Sequence, residues 1–547
     1  MSEPTPKSLT EQLDEIFRPY NRSDRPGMVV GVAKDGKTIY RRGFGLANVE
    51  HGVTNTARTR MRIGSTTKHF TCLAALLLAE EGKLDIDASI RRYVPEYPAL
   101  GGEPTLRQLM YHAGGHRCYI DAGFIADGAA IHPAEAALAA QARQTAANFP
   151  AGERMLYNNG GYNVLSLAIE RASGIRFETF LKERIFEPLG MTETASVPSD
   201  FEIHQGLAGL YTPSDGGWRR GIFITENLRG EGAMVSTIDD MLRWLAHMRA
   251  TEKTVGSADS WRQMMTAPKL ANGFQAQYAL GLILDQYRGV DVIHHGGSVT
   301  GGQCQMITAP GHALDIIILT NGVPANPDDL ATKVMDAILG DALAPKVEAP
   351  PTADYKALLG RYYDDRSGML FGFQDMDGKL GLAFFTSPPM PIDSCDEGLV
   401  SPFVKTVVGH FVFHTEGLAL GDGSPAPQTL TISDSGNPDT FRRLPDEAPP
   451  LPSADALAGE FYSTDIDARA WFEAGEDGLT MRIHGPYGES VWALGSLDED
   501  LLSATYKARA IPWVGVVAIE REATAPAAFT FTSRRTRKLR FERRPAN

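Results

Sequence analysis

The stretch Arg62-Ile63-Gly64-Ser65-Thr66-Thr67-Lys68-His69-Phe70-Thr71 passes from a strand-like segment into a helix. Beyond it, Leu73-Ala74-Ala75-Leu76-Leu77-Leu78 is apolar on every face, so the helix is read as buried. Ser65 and Lys68, at i and i+3, share one helix face. Ser65 sits at the helix N-terminus, where free N–H groups and the dipole favour a developing oxyanion. A lysine at the root of a buried helix is desolvated, which disfavours its charged form and prepares it as a base. A capped helix with an ordinary lysine is the plainer reading, and Ser-x-x-Lys alone does not decide between them.

Two further segments add weight. Leu156-Tyr157-Asn158-Asn159-Gly160-Gly161-Tyr162 precedes a clear helix, and its Tyr-x-Asn form suits a loop presenting the phenol of Tyr157 and the amide of Asn159 to a cleft. A phenol near a cationic lysine can shuttle a proton to a leaving group; the alternative is a turn that merely caps the helix. In Ile293-His294-His295-Gly296-Gly297-Ser298-Val299-Thr300-Gly301-Gly302, glycines on an edge strand would let a substrate backbone approach and pair. His295 beside them could bond the phenol or the substrate carbonyl, although a single histidine in such a place is usually structural.

The whole chain sets the frame. Its 547 residues exceed one core and suggest two to four domains. With 43% hydrophobic and 22% charged residues the composition is that of a globular protein, and a net charge of −14 argues against non-specific nucleic-acid binding. Cys72, Cys118, Cys304 and Cys395 are scattered, form no zinc pattern and are expected to be reduced, buried thiols. The polar start Met1-Ser2-Glu3-Pro4-Thr5-Pro6 has no apolar run, and Leu73–Ala79 is too short to span a bilayer, so a cytoplasmic location is expected.

Two proline-rich stretches, Ala344 to Pro351 and Glu447 to Pro452, divide the chain into regions 1–345, 353–446 and 453–547. The last two read as copies. One opens Ala357-Leu358-Leu359-Gly360-Arg361-Tyr362-Tyr363, the other Ala456-Leu457-Ala458-Gly459-Glu460-Phe461-Tyr462, and they close with Phe441-Arg442-Arg443 and Phe541-Glu542-Arg543. Offsets of 99 residues at the start and 100 at the end indicate a duplicated domain, and the short alternating runs inside point to small antiparallel barrels. In the first region strands are expected over 27–34, 37–43, 279–284 and 316–320, with helices over 68–81, 134–147, 162–172, 238–248 and 330–339. An N-terminal hairpin rejoining late strands, with helices between, is an α+β arrangement around one antiparallel sheet.

The three segments, in this order, resemble the serine β-lactamase and penicillin-binding-protein superfamily, of class C type, with its Ser-x-x-Lys, Tyr-x-Asn and His-x-Gly elements. The likeness covers roughly residues 20–340 and includes Ile185-Phe186-Glu187-Pro188-Leu189-Gly190-Met191. The duplicated tail is similar to that of the D-aminopeptidase branch, whose catalytic domain is followed by two eight-stranded antiparallel barrels. The resemblance implies a serine hydrolase acting through an acyl-enzyme on amide bonds of small peptides or amides. Its alternatives are a carboxylesterase and a penicillin-binding or DD-peptidase-like protein with slow turnover. It implies Ser65 as nucleophile, Lys68 assisted by Tyr157 as base, Tyr157 as proton donor to the leaving amine, and His295 and Asn159 orienting the cleft. Backbone N–H groups of Ser65 and Ser298 would hold the oxyanion, with Gly297 beside them. No metal or organic cofactor is expected. A small peptide, amide or ester is the expected partner, with neither nucleic acid nor membrane, and a homodimer is left open.

In that branch a loop of the last barrel supplies an acidic residue for the substrate amine. Here the comparable loop is Thr505-Tyr506-Lys507-Ala508-Arg509-Ala510-Ile511-Pro512-Trp513, basic and aromatic and without a carboxylate. Lys507 and Arg509 would favour a substrate carboxylate, unless they are merely solvated loop charges. His112 and His116 are read as structural. The run Arg534-Arg535-Thr536-Arg537-Lys538-Leu539-Arg540 is read as a solvated final barrel strand.

Overall fold

A computed structural model describes residues 7–100, 102–322, 324–400, 410–475, 478–506 and 513–545. The chain folds as two compact units. One comprises Met1–Val94, Tyr162–Pro268 and Gln277–Lys346; the other Pro95–Gly161, Lys269–Ala276 and Val347–Asn547.

The first unit is built on a six-stranded sheet, ordered Ile283–Tyr287, Val290–Val299, Gly302–Ala309, Leu314–Thr320, Met28–Lys34, Lys37–Phe44. All neighbours are antiparallel, and Met28 opposite Thr320 joins the N-terminal hairpin to the last strand. The hairpin turns at Asp35-Gly36, both at positive φ (52° and 75°), as the tight Asp-Gly turn requires. Alternation sorts the strand Met28–Lys34 between two layers. Met28, Val30 and Val32 pack with Leu13 and Phe17 of the helix Leu9–Phe17 and with Leu330, Val334 and Met335 of the helix Pro327–Leu339. Gly31 faces Ile238 and Leu242 of the helix Ile238–Arg249. The expected strand over 279–284 begins later, at Ile283, because Gly281 (φ 73°) turns the chain. The helix Lys68–Glu80 is buried from Lys68 through Leu78, as its apolar run implies.

The second unit holds the helices Leu106–Met110, Tyr119–Asp127 and Ala136–Ala142 together with both tail sheets. The helix expected over 134–147 stops at Ala142; shortly after it, Asp465 accepts both the N–H and the hydroxyl of Thr145, each at 2.7 Å. The second tail sheet is a closed eight-stranded barrel. The first has nine strands, and its two edges, Met390–Pro391 and Asp393–Cys395, are separated in sequence by Ile392 alone, so it curls nearly to closure. The copies close alike: Tyr362 pairs with Arg443 and Phe461 with Arg543. Arg443 donates to the carbonyl of Leu359 and Arg543 to that of Ala458, both at 2.7 Å. The basic run near the C-terminus departs from its reading. Only Leu539–Arg543 is strand, and residues 534–538 form a turn in which Thr536 and Arg537 are buried. Three cysteines are buried as expected, while Cys395 is exposed. No helix among the described residues is long and apolar enough to cross a membrane.

Candidate active site

Ser65 lies in a tight 3-10 turn, Gly64–Thr67, that leads into the helix Lys68–Glu80. In 3-10 geometry side chains at i and i+3 eclipse, which brings Lys68 Nζ to 3.2 Å from Ser65 Oγ. The turn is held by its own threonines. Thr67 donates to the carbonyl of Gly64 (2.7 Å) and accepts from the N–H of Met234 (3.1 Å). Thr66 reaches the carbonyl of His295 (3.2 Å). Ser65 is partly exposed whereas Lys68 is fully buried. The amine donates to the carbonyl of Glu231 (2.6 Å) and lies 5.3 Å from the centre of the Tyr162 ring. The Glu231 carboxylate is turned elsewhere, accepting from Asn163 Nδ2 (3.0 Å) and the N–H of Arg229 (3.2 Å). The contact to Ser65 links this amine to the serine hydroxyl.

The strand Val290–Val299 lies against this turn. A Cβ on Gly297 would fall 1.9 Å from the carbonyl of Ile63 and 3.0 Å from the nitrogen of Ser65, and one on Gly64 (φ 52°) would fall 2.7 Å from the nitrogen of Ser298. These glycines let the chain pack closely on itself. The packing brings the backbone nitrogen of Ser298 up to Gly64, next to Ser65 in the turn. The neighbouring strand pairs only as far as Ile283 opposite His294, so 295–299 extend beyond it.

His295 is 2% exposed. Its Nδ1 lies 2.6 Å from the carbonyl of Gly296, which can only accept, so Nδ1 carries the proton and Nε2 accepts from the Tyr278 hydroxyl at 2.9 Å. Burial, and then the charge of Lys68, hold the imidazole well below its ordinary pKa, so it is neutral. Behind it, Tyr162 reaches the Tyr278 hydroxyl and lies 3.3 Å from the Cys72 sulfur. The phenol on His295 in this unit is thus Tyr278. Tyr162, Tyr278 and Glu231 were not singled out from sequence, and no local pattern marks them.

Tyr157 and Asn159 belong to the second unit. Tyr157 is 5% exposed and its ring lies 4.1 Å, centroid to centroid, from that of His112. His112, at φ 63°, accepts the N–H of Leu156 at its carbonyl (3.0 Å) and that of Asn158 at Nδ1 (3.1 Å). Asn158 itself caps the helix Asn159–Ser173, accepting from the N–H of Gly161 (3.3 Å). The cap is therefore neither Tyr157 nor Asn159. His116, with ring nitrogens 3.1 and 3.0 Å from the carbonyls of Gly114 and Pro98, is structural as read. Lys507 and Arg509 lie outside the described residues. Among those described, no group of three or more His, Cys, Asp or Glu side chains could hold a metal ion.

Residues 13–339, more than half of the chain, match the Beta-lactamase family. The chain belongs to this family. Its likeness to named relatives extends beyond the matched region. A D-aminopeptidase of Cereibacter sphaeroides is 28% identical over 509 residues, covering 88% of this chain and 89% of its own. A D-aminopeptidase of Brucella anthropi is 28% identical over 372 residues, 67% of this chain and 69% of its own. Among solved structures, the octameric penicillin-binding protein homologue from Pyrococcus abyssi shares the fold at 19% identity, with a TM-score of 0.54 over 98% of this chain and 99% of its own.

Proposed function

We propose that the chain is a serine hydrolase that forms an acyl-enzyme on Ser65 and cleaves amide bonds of small peptides or amides, in the manner of a D-aminopeptidase. The observation that carries this is the 3.2 Å approach of a fully buried Lys68 amine to the Ser65 hydroxyl. The relatives named D-aminopeptidase, alike over most of both chains, support the substrate class. Lys68, assisted by Tyr157, takes the serine proton as Oγ attacks the carbonyl carbon. The N–H groups of Ser65 and Ser298 hold the tetrahedral oxyanion. Tyr157 passes a proton to the leaving amine. Water then releases the acid and restores the serine. His295, neutral and tied at both ring nitrogens, fixes the strand that carries Ser298, and Asn159 orients the substrate. For the chain as a whole we propose a hydrolase domain over 1–345 and barrels over 353–446 and 453–547, a division supported by the matching closure of the two sheets.

Ser65→Ala should abolish the covalent adduct formed with a β-lactam or active ester and lower turnover by about 10³-fold or more. A wild-type level of adduct in that variant, read by intact-protein mass spectrometry, overturns the scheme. Turnover of D- and L-amino-acid amides, peptides and short-chain esters then discriminates among the readings. Hydrolysis of esters alone indicates a carboxylesterase, and an adduct without turnover a penicillin-binding protein.

A further inference from the structure

The Tyr157 ring carries a second neighbour within its unit. The guanidinium carbon of Arg535 lies 4.7 Å from the ring centroid. Arg535 comes from the turn between the last two barrel strands, and that turn is fastened on both sides. Asp121 Oδ2, fully buried, accepts from the N–H of Arg535 (3.1 Å) and the hydroxyl of Ser533 (2.9 Å). Asn148 donates to the carbonyl of Arg535 (3.0 Å) and accepts from the N–H of Arg537 (2.8 Å).

The charges around the phenol can be sorted. His112 accepts a backbone N–H at Nδ1, so its proton is on Nε2 and the ring tilted against Tyr157 is neutral. Burial pushes the Cys118 thiol up, which keeps it neutral. Arg534 adds a second guanidinium beside Arg535, and Asp121 is the carboxylate that faces both. Among the described residues Arg535 makes no side-chain ion pair of its own. A guanidinium over a phenol attracts the neutral ring through its quadrupole, and attracts the phenolate through a full charge.

We propose that Arg535, delivered by the turn that completes the second barrel, is a positioning residue for Tyr157: its guanidinium favours the phenolate and so readies the residue for proton transfer. The inference rests on the proton-transfer role given to Tyr157 above.

Ultraviolet difference titration at the tyrosinate band tests it without recourse to activity. The absorbance step that Tyr157→Phe removes identifies this residue. That step is expected about 1–2 pH units lower in the wild type than in Arg535→Met, with Arg535→Lys, which keeps the charge without the plane, between them. The acid limb of kcat/KM should move upward by the same amount in Arg535→Met. A Tyr157 step at one and the same pH in wild type, Arg535→Met and Arg535→Lys overturns the inference. Should Arg535→Met fail to fold by circular dichroism, an unshifted step in Arg535→Lys, together with an unshifted acid limb, overturns it equally. Labelling of Ser65 by a β-lactam reads the hydrolase assignment separately. A shifted tyrosinate step with no Ser65 adduct refutes that assignment and keeps the role of Arg535; an adduct with an unshifted step does the reverse.

Discussion

In the first tail sheet the strands Thr429–Asp434 and Asn437–Arg443 are joined by Ser435-Gly436, both at positive φ (52° and 77°), a two-residue hairpin. In the second, the corresponding strands Ala525–Ser533 and Leu539–Arg543 are joined by the five residues from Arg534 to Lys538. Both connections grip one stretch of chain. The short turn accepts the N–H of Met155 at Ser435 Oγ (3.3 Å) and donates from Asn437 to the carbonyl of Glu153 (3.0 Å). The longer one holds Asn148 through its backbone and sets Arg535 over Tyr157. The two sheets close alike, while one connection is longer and basic. A neutral turn can fix a backbone; the longer turn also applies a charge to a side chain.

The two turns are tied by Arg537, which pairs with Asp434 at 2.8 Å, each 5% exposed. Removing it is the most drastic way to break the comparison. Arg537→Met leaves a buried carboxylate with a more distant guanidinium, Arg154 at 3.6 Å. The expected cost is about 3–5 kcal/mol, read from the urea midpoint at constant slope. Asp434→Asn in the same chain should return part of the loss, because the unpaired charge goes with it. A cost under about 1 kcal/mol would show that the turns are held independently.

How much of this was readable beforehand follows from the range of each interaction. Ser65 and Lys68 are three residues apart, so local helical geometry alone forces their meeting. The duplicated tail was readable because the same closing pair recurs at nearly one offset. Tyr278 and His295 lie seventeen residues apart, beyond any local periodicity, and nothing in either neighbourhood signals the other. The basic run was misread because alternation fits a strand, whereas Asp121 and Asn148, far away in sequence, supply partners that hold 534–538 as a turn. The flanks of Gly297 gave no sign that the chain also needs this glycine to seat the turn at Ile63 and Ser65. The histidine beside Tyr157 gave no sign of its left-handed backbone, which places its carbonyl and ring on the Tyr157 loop.

The anchors of the two turns should also answer differently to pH. The short turn holds Glu153 and Met155 through neutral groups, while the longer one hangs on Asp121. Burial raises the Asp121 pKa in the folded protein above its ordinary 3.8. A raised folded value means that the stability it contributes is complete below about 3.8 and is lost as pH rises through the folded value. The stability difference between wild type and Asp121→Asn should therefore move against the wild type as pH climbs from about 4 toward neutrality, by at most about 1.4 kcal/mol per pH unit. Asn437→Ala, by contrast, should give a difference that is flat across the same range. Equal slopes for both variants would remove the distinction between a titrating and a neutral anchor.

Asn437→Ala has the smallest expected effect and sharpens the comparison furthest. Asn437 gives one bond to Glu153 and otherwise reaches only the carbonyls of Asp434 and Ser435, each at 3.4 Å in its own turn. The bond to the Glu153 carbonyl is only part-buried, so its loss should cost about 1 kcal/mol. Its neighbours Met155 and Ser435 keep their bond, and the loop still leads into Tyr157. If the short turn only fixes backbone, this variant shifts the urea midpoint slightly and leaves the Tyr157 tyrosinate step where it was. A shift of that step comparable with the one in Arg535→Met would mean that loop geometry, and not the guanidinium, sets the ionisation of the phenol. The charge-bearing turn would then have no function that its shorter counterpart lacks.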